Sequence, residues 1–87
     1  VDLEWDEAKR QAVLAERGVD FADAEPALLD ERALTLIQDH GSEVRYVTVG
    51  MGPFGRLLTV VWTVRGSRRR IITAWKSNAR ERRHYGG

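Results

Sequence analysis

Val1, Leu3 and Trp5 alternate with Asp2 and Glu4, a period of two that predicts a short strand with one apolar face. Asp6 follows as an N-cap, and residues 7–16 are mostly strong helix formers, so the period changes to helical. Ala8, Ala12 and Ala15 share one side of that helix and predict a small-residue packing face. Gly18 is the stop signal, since a left-handed cap costs it no Cβ clash. Asp20 opens a second short helix with Asp23 in its acidic first turn and Phe21, Ala24 and Leu28 as its stripe. Pro26 lacks an amide hydrogen and clashes backwards, so this helix is short, kinked or restarted there.

From residue 33 the pattern alternates. Residues 33–37 predict a strand, Asp39 to Ser42 a polar loop, and Glu43 to Val49 the next strand, with Arg45, Val47 and Val49 on one side. Gly50 to Gly55 is a turn cluster. Residues 56–65, rich in Val and Thr with Trp62, predict the strongest strand. A tight turn at Arg65-Gly66-Ser67-Arg68 returns residues 69–76 as its hairpin partner. On unbroken alternation Trp75 shares a face with Ile71 and Thr73 and is expected in the core, as are Trp5 and Trp62. Asn78 caps a last short helix, 79–85. The order β-α-α-β-β-β-β-α predicts one α+β domain over residues 1–87. Its mainly antiparallel sheet of four to five strands packs against the N-terminal helices.

Composition narrows the function classes. A chain of 87 residues has room for one core. With no cysteine, disulfide frameworks, thiolate zinc sites and cysteine nucleophiles are excluded. No apolar run, Val60-Val61-Trp62 included, exceeds four residues, too short to cross a bilayer, so the default expectation is a cytoplasmic protein away from membranes. The net charge of +1 conceals a split. Residues 1–44 hold twelve acids against four bases, and residues 45–87 hold ten bases against the single acid Glu81. Such asymmetry fits a polyanionic partner, and it fits equally two halves that neutralise each other in the fold.

Two end motifs carry a family resemblance. Leu3-Glu4-Trp5-Asp6 with Lys9, then Arg17-Gly18-Val19-Asp20-Phe21, resembles the opening of the BrnT-type toxins. Arg70-Ile71-Ile72-Thr73-Ala74-Trp75-Lys76 with Glu81-Arg82 and Tyr85 resembles their ending. Asp30, Arg45, Gly50, Val60 and Val61 fall at compatible places between. Two residues depart from the pattern: Arg17 stands where the family usually has His, and Trp75 where many members have Arg. The first is expected to be a structural swap near the helix end. The second puts in doubt a role carried by arginine there, although Lys76 next door could supply charge from the opposite face. The resemblance implies a RelE-like fold and a ribonuclease toxin of a type II toxin–antitoxin pair. It implies a BrnA-type ribbon-helix-helix antitoxin as partner, with operator DNA contacted only through that antitoxin.

Metal-independent RNA cleavage uses the ribose 2′-OH as nucleophile on its own phosphate. The protein must remove that proton, stabilise the phosphoryl oxygens and protonate the leaving 5′-oxygen. No cofactor or metal is expected. Arg45 is the candidate phosphate clamp, against the alternative of a strand arginine pairing Glu43 or Asp39. Lys76 is either a second cation or a solvated strand-end lysine. Glu81 is a general base or the orienter of Arg82, or else a helix-surface ion pair with Arg80 or Arg83. Tyr85 is a stacking platform or proton donor, or a lid on the core. Lys9, matching the family's lysine, and Arg68, Arg70 and Arg80 are candidate RNA contacts, although a charged turn that keeps the hairpin soluble explains Arg68 and Arg70 as well. His40 and His84 have no spacing that brings them together, which disfavours a paired-histidine mechanism. Gly50-x-Gly52-x-x-Gly55 has the spacing of a nucleotide-binding loop, but Pro53 interrupts it and no helix follows. The rival reading is a non-catalytic module of the same fold that binds nucleic acid or only its partner.

Overall fold

The computed structural model describes residues 2–86; Val1, which the alternation assigns to the first strand, and Gly87 lie outside them. The elements follow the order the hydrophobic pattern predicts. They are β1 (Leu3–Trp5), α1 (Glu7–Arg17), α2 (Ala24–Leu29), β2 (Leu34–His40), β3 (Glu43–Met51), β4 (Leu57–Arg65), β5 (Arg68–Lys76) and α3 (Ala79–His84). The strands form one sheet in the spatial order β1-β5-β4-β3-β2. Hairpins join β2 to β5 in antiparallel sequence, while β1 lies parallel to β5 at one edge. The chain leaves β1 at that edge, crosses one face of the sheet through α1 and α2, and re-enters at the opposite edge as β2. The predicted loop at 39–42 contracts to a two-residue turn, because Gly41 at φ 74° lets β2 run on to His40.

The helices seat on the sheet through residues that the pattern only partly anticipates. Asp6 caps α1 by accepting from the Lys9 amide at 3.2 Å, and Gly18 takes the left-handed cap at φ 68°. The alanine stripe does not pack: Ala8, Ala12 and Ala15 are exposed, and α1 instead buries Val13. Val13 hides more apolar area than an alanine, and Arg10 and Arg17 on the same side find fixed acceptors. Arg10 grips Asp20 through two bonds of 2.7 and 2.9 Å, which hold the Asp20 carboxyl below its ordinary range. Asp20 also accepts from the Ala22 amide at 2.9 Å and starts a 3-10 turn, Phe21–Asp23, that leads into α2. Pro26 sits in the first turn of α2, where its missing N–H forfeits no helical bond, so the chain restarts there without a kink.

Phe21, Leu58, Val60 and Ile71, each at most 2% exposed, form the centre of the core between α1, α2 and the sheet. Trp62 is buried, stacks on Tyr46 at 4.4 Å and donates its indole N–H to Thr48 at 2.9 Å. Trp5 packs edge-on to Phe21 at 6.4 Å, so both tryptophans belong to this core as expected. Gly50 is dictated by the approach of α2: a Cβ there would stand 2.0 Å from the Ala27 carbonyl oxygen.

Trp75 is a correction. A β-bulge lets Trp62 pair with Ile71 but Val61 with Thr73, leaving Ile72 as an extra residue. The alternation therefore flips within β5. Ile71 and Ala74 face the helices, whereas Thr73 and Trp75 face the other side of the sheet.

Candidate functional site

The face of the sheet away from α1 and α2 is built in three rows set by strand register. The upper row runs from Gln38 and Arg45 through Thr63 to Arg70 and Glu4. The middle row is Leu36, Val47, Val61 and Thr73. The lower row is Leu34, Val49, Thr59 and Trp75, and α3 lies over it. An apolar floor thus separates an arginine-rich rim from a helix.

Two carboxylates organise the rim. Glu43 pairs with Arg45 at 3.2 Å and with Arg65 at 3.7 Å, and Glu4 pairs with Arg70 at 2.9 Å. Each pair is partly exposed and contributes between nothing and about 1 kcal/mol of stability. Their main effect is to hold long side chains in register. Arg68, opposite Arg65 in the hairpin, adds a further exposed cation, so the rim keeps an excess of positive charge. Part of the basic half of the sequence is therefore neutralised within the fold and part is left for a partner.

α3 is strapped across the lower row by an anchor at each end. At its start, Asn78 and Glu81 form a reciprocal capping box, each bond 2.8 Å long. The Glu81 carboxylate also accepts the Trp75 indole N–H, at 3.2 and 3.3 Å to its two oxygens. At its far end the Tyr85 hydroxyl donates to Asp30, which also accepts the amides of Met51 at 2.8 Å and Arg32 at 3.0 Å. These bonds, Tyr85 first, hold the Asp30 carboxyl below its ordinary range, and the same contact pushes the Tyr85 phenol up. Between strap and sheet lies a groove of about 600 Å³ lined by Leu34, Leu36, Val47, Val49, Arg80 and His84 among others.

Of the residues predicted from sequence, Arg45, Arg68 and Arg70 meet on the rim, and Arg80 and Glu81 meet at the groove. Arg82 is exposed on the same helix, α3. Lys76 is exposed at the end of β5, on the opposite face from Trp75 as expected. Lys9 is exposed on α1, which packs against the other side of the sheet, so it does not join this group. His40 ends β2 beyond the rim while His84 lies at the groove, well apart. Among the described residues no three His, Asp or Glu side chains cluster as metal ligands. Among them, too, no helix is long and apolar enough to cross a membrane.

Sequence reading missed the hub role of Asp30 and the position of Arg17. The signal for Asp30 was available as an acid directly after a helix, a place where Asp side chains cap local backbone. Arg17, expected as a structural swap near the helix end, ties the end of α1 to β5. Its Nη1 donates to the Thr73 hydroxyl and the Ala74 carbonyl, both at 3.1 Å, and its guanidinium stands 5.9 Å from the Trp75 ring centre. The two departures from the end motifs therefore touch each other.

A family model described as the ribonuclease toxin BrnT of type II toxin–antitoxin systems matches residues 5–81. No curated protein matches the sequence. Among solved structures, the chain is similar to the Brucella abortus ribonuclease toxin BrnT, at 26% sequence identity and a TM-score of 0.71. That likeness covers 90% of this chain and 99% of that one.

Proposed function

Since the chain belongs to the BrnT family of ribonuclease toxins of type II toxin–antitoxin systems, we propose that the open sheet face is where this endoribonuclease binds and cleaves RNA, without a metal. The observation that carries this reading is the rim-and-groove arrangement. Arginines fork phosphates at one border, an apolar floor accepts bases, and α3 brings a carboxylate and further cations to the other border.

In this reading Arg45 and Arg70 grip the backbone, with Arg68 and Arg80 extending the cationic track. Glu81, oriented by Trp75 and Asn78, takes the proton from the ribose 2′-OH as that oxygen attacks the adjacent phosphorus. Arg82, with Arg80 at the groove, offsets the charge that develops on the phosphoryl oxygens, while Lys76, on the opposite face of β5, stays outside this site. The products are a 2′,3′-cyclic phosphate and a 5′-hydroxyl end; the leaving 5′-oxygen takes its proton from water, and Glu81 returns the proton it accepted to solvent. Tyr85, bonded to Asp30, holds the strap so that Glu81 stays in place, and its hydroxyl is the nearest phenolic proton to the end of α3.

The partner in this reading is a BrnA-type ribbon-helix-helix antitoxin, which covers the open face, silences cleavage and carries the pair to operator DNA. Free toxin acts in the cytoplasm, where RNA breakdown stops translation and growth. Expression in a bacterial host tests this directly. Growth arrest with RNA breakdown within one doubling, relieved by Arg45→Ala or by co-expressed antitoxin, is expected. Normal growth with a folded, soluble product contradicts it.

A further inference from the structure

Three of the four rim arginines share a feature that Arg17 and the exposed turn residue Arg68 lack. Arg45, Arg65 and Arg70 each sit on a carboxylate, so part of their charge is spent within the protein. Arg17 is held by the Thr73 hydroxyl and the Ala74 carbonyl, both uncharged acceptors, which fix the guanidinium without neutralising it. Both contacts use Nη1. The Nε–H and the Nη2 group have no protein acceptor among the described residues, and the side chain is exposed. Arg17 is the last residue of α1, directly before the left-handed cap at Gly18, and its two bonds to β5 fix where the guanidinium lies. Its neighbours Thr73 and Trp75 both face the open side, and Trp75 bonds Glu81.

We infer that Arg17 is an RNA-phosphate contact of this enzyme, anchored at the free edge of β5 and guided by the face of Trp75. This rests on the ribonuclease reading above and adds to it a residue from the helix layer that reaches around the sheet edge. A guanidinium with a free fork of donors suits a phosphate oxygen pair, and a ring within about 6 Å restricts its swing.

The test uses a single-stranded RNA oligonucleotide with 2′-methoxy groups, which binds without being cut, titrated at several salt concentrations. Each phosphate contact contributes about 0.7 to the slope of log K against log salt for a single strand. Arg17→Gln removes the charge and, being shorter, also gives up the Nη1 bonds to Thr73 and Ala74, so affinity should fall about tenfold and the slope by about 0.7. Arg17→Lys should keep the slope. If Arg17→Gln lowers thermal stability but leaves the slope unchanged, Arg17 is only a clamp between α1 and β5 and the inference is overturned. Unmodified RNA run in parallel separates the two claims: intact RNA with wild-type protein sinks the ribonuclease reading, whereas the slope still reports on Arg17.

Discussion

On the helix side of the sheet, Phe21, Leu58, Val60 and Ile71 are sealed from solvent. Through the same strands, on the other side, Arg45, Arg65 and Arg70 stand in partly exposed ion pairs above a row of valines. The helix side is where most of the stability comes from, since most of the apolar area removed from water lies there and its main ion pair, Arg10 with Asp20, stays partly exposed. The open side adds little stability, so its residues are free to serve a ligand. β4 belongs to both: Val61, only 8% exposed, faces the open side and is covered by its neighbours. The division is one of chemistry as well as burial.

The strongest way to break this contrast is Phe21→Ala, expected to cost about 3–5 kcal/mol by urea unfolding, close to the whole stability of a small domain. Gly50→Ala should cost about 1–3 kcal/mol or more, because the new methyl meets backbone that cannot move aside. On the other side, Arg45→Ala with Arg70→Ala breaks two ion pairs and should change stability by no more than about 2 kcal/mol. The same pair should lower the salt slope of RNA binding by about 1.4, two phosphates' worth. Lys9→Ala sharpens the boundary: on the helix side, it should leave the slope unchanged and stability within about 0.5 kcal/mol.

The smallest effect is a pH dependence of the strap. Asp30 is held low, so its contribution is in place above the unfolded carboxyl value near 3.9 and disappears as pH falls through its lowered folded value. Tyr85 is pushed up, so its contribution is in place below about 10 and disappears as pH rises through its raised value. Amide shifts of residues 79–84 followed by NMR should therefore stay flat through neutral pH and move only at both extremes. Asp30→Asn should remove the acid limb, and an unchanged acid limb would mean that Asp30 does not hold the strap.

Much of this division was legible in the sequence because it rests on local rules. Asp6, Gly18, Asn78 and the hairpin turn act within a few residues, and they mark the helix ends and the β4–β5 turn. The arginines of the rim followed from strand alternation at Arg45 and Arg70. What could not be read depended on distant partners. One extra residue at Ile72 reverses the face of Trp75, and a bulge leaves no mark in a period-two pattern. The choice of Val13 over the alanine stripe depends on where Asp20 and β5 lie relative to α1. Glu81, read as a general base, an orienter of Arg82 or an ion pair, is bound to Asn78 by a local capping box and to Trp75 by a contact that only the path of α3 creates.

The most direct test of the open-face claim is to incubate purified protein with a short RNA in EDTA and read the ends of the products. Wild type should give 2′,3′-cyclic phosphate ends, and the Arg45→Ala, Arg70→Ala double variant should leave the RNA whole while unfolding at a similar urea concentration. Cleavage by that variant at the wild-type rate, or products ending in 5′-phosphate, would contradict the account.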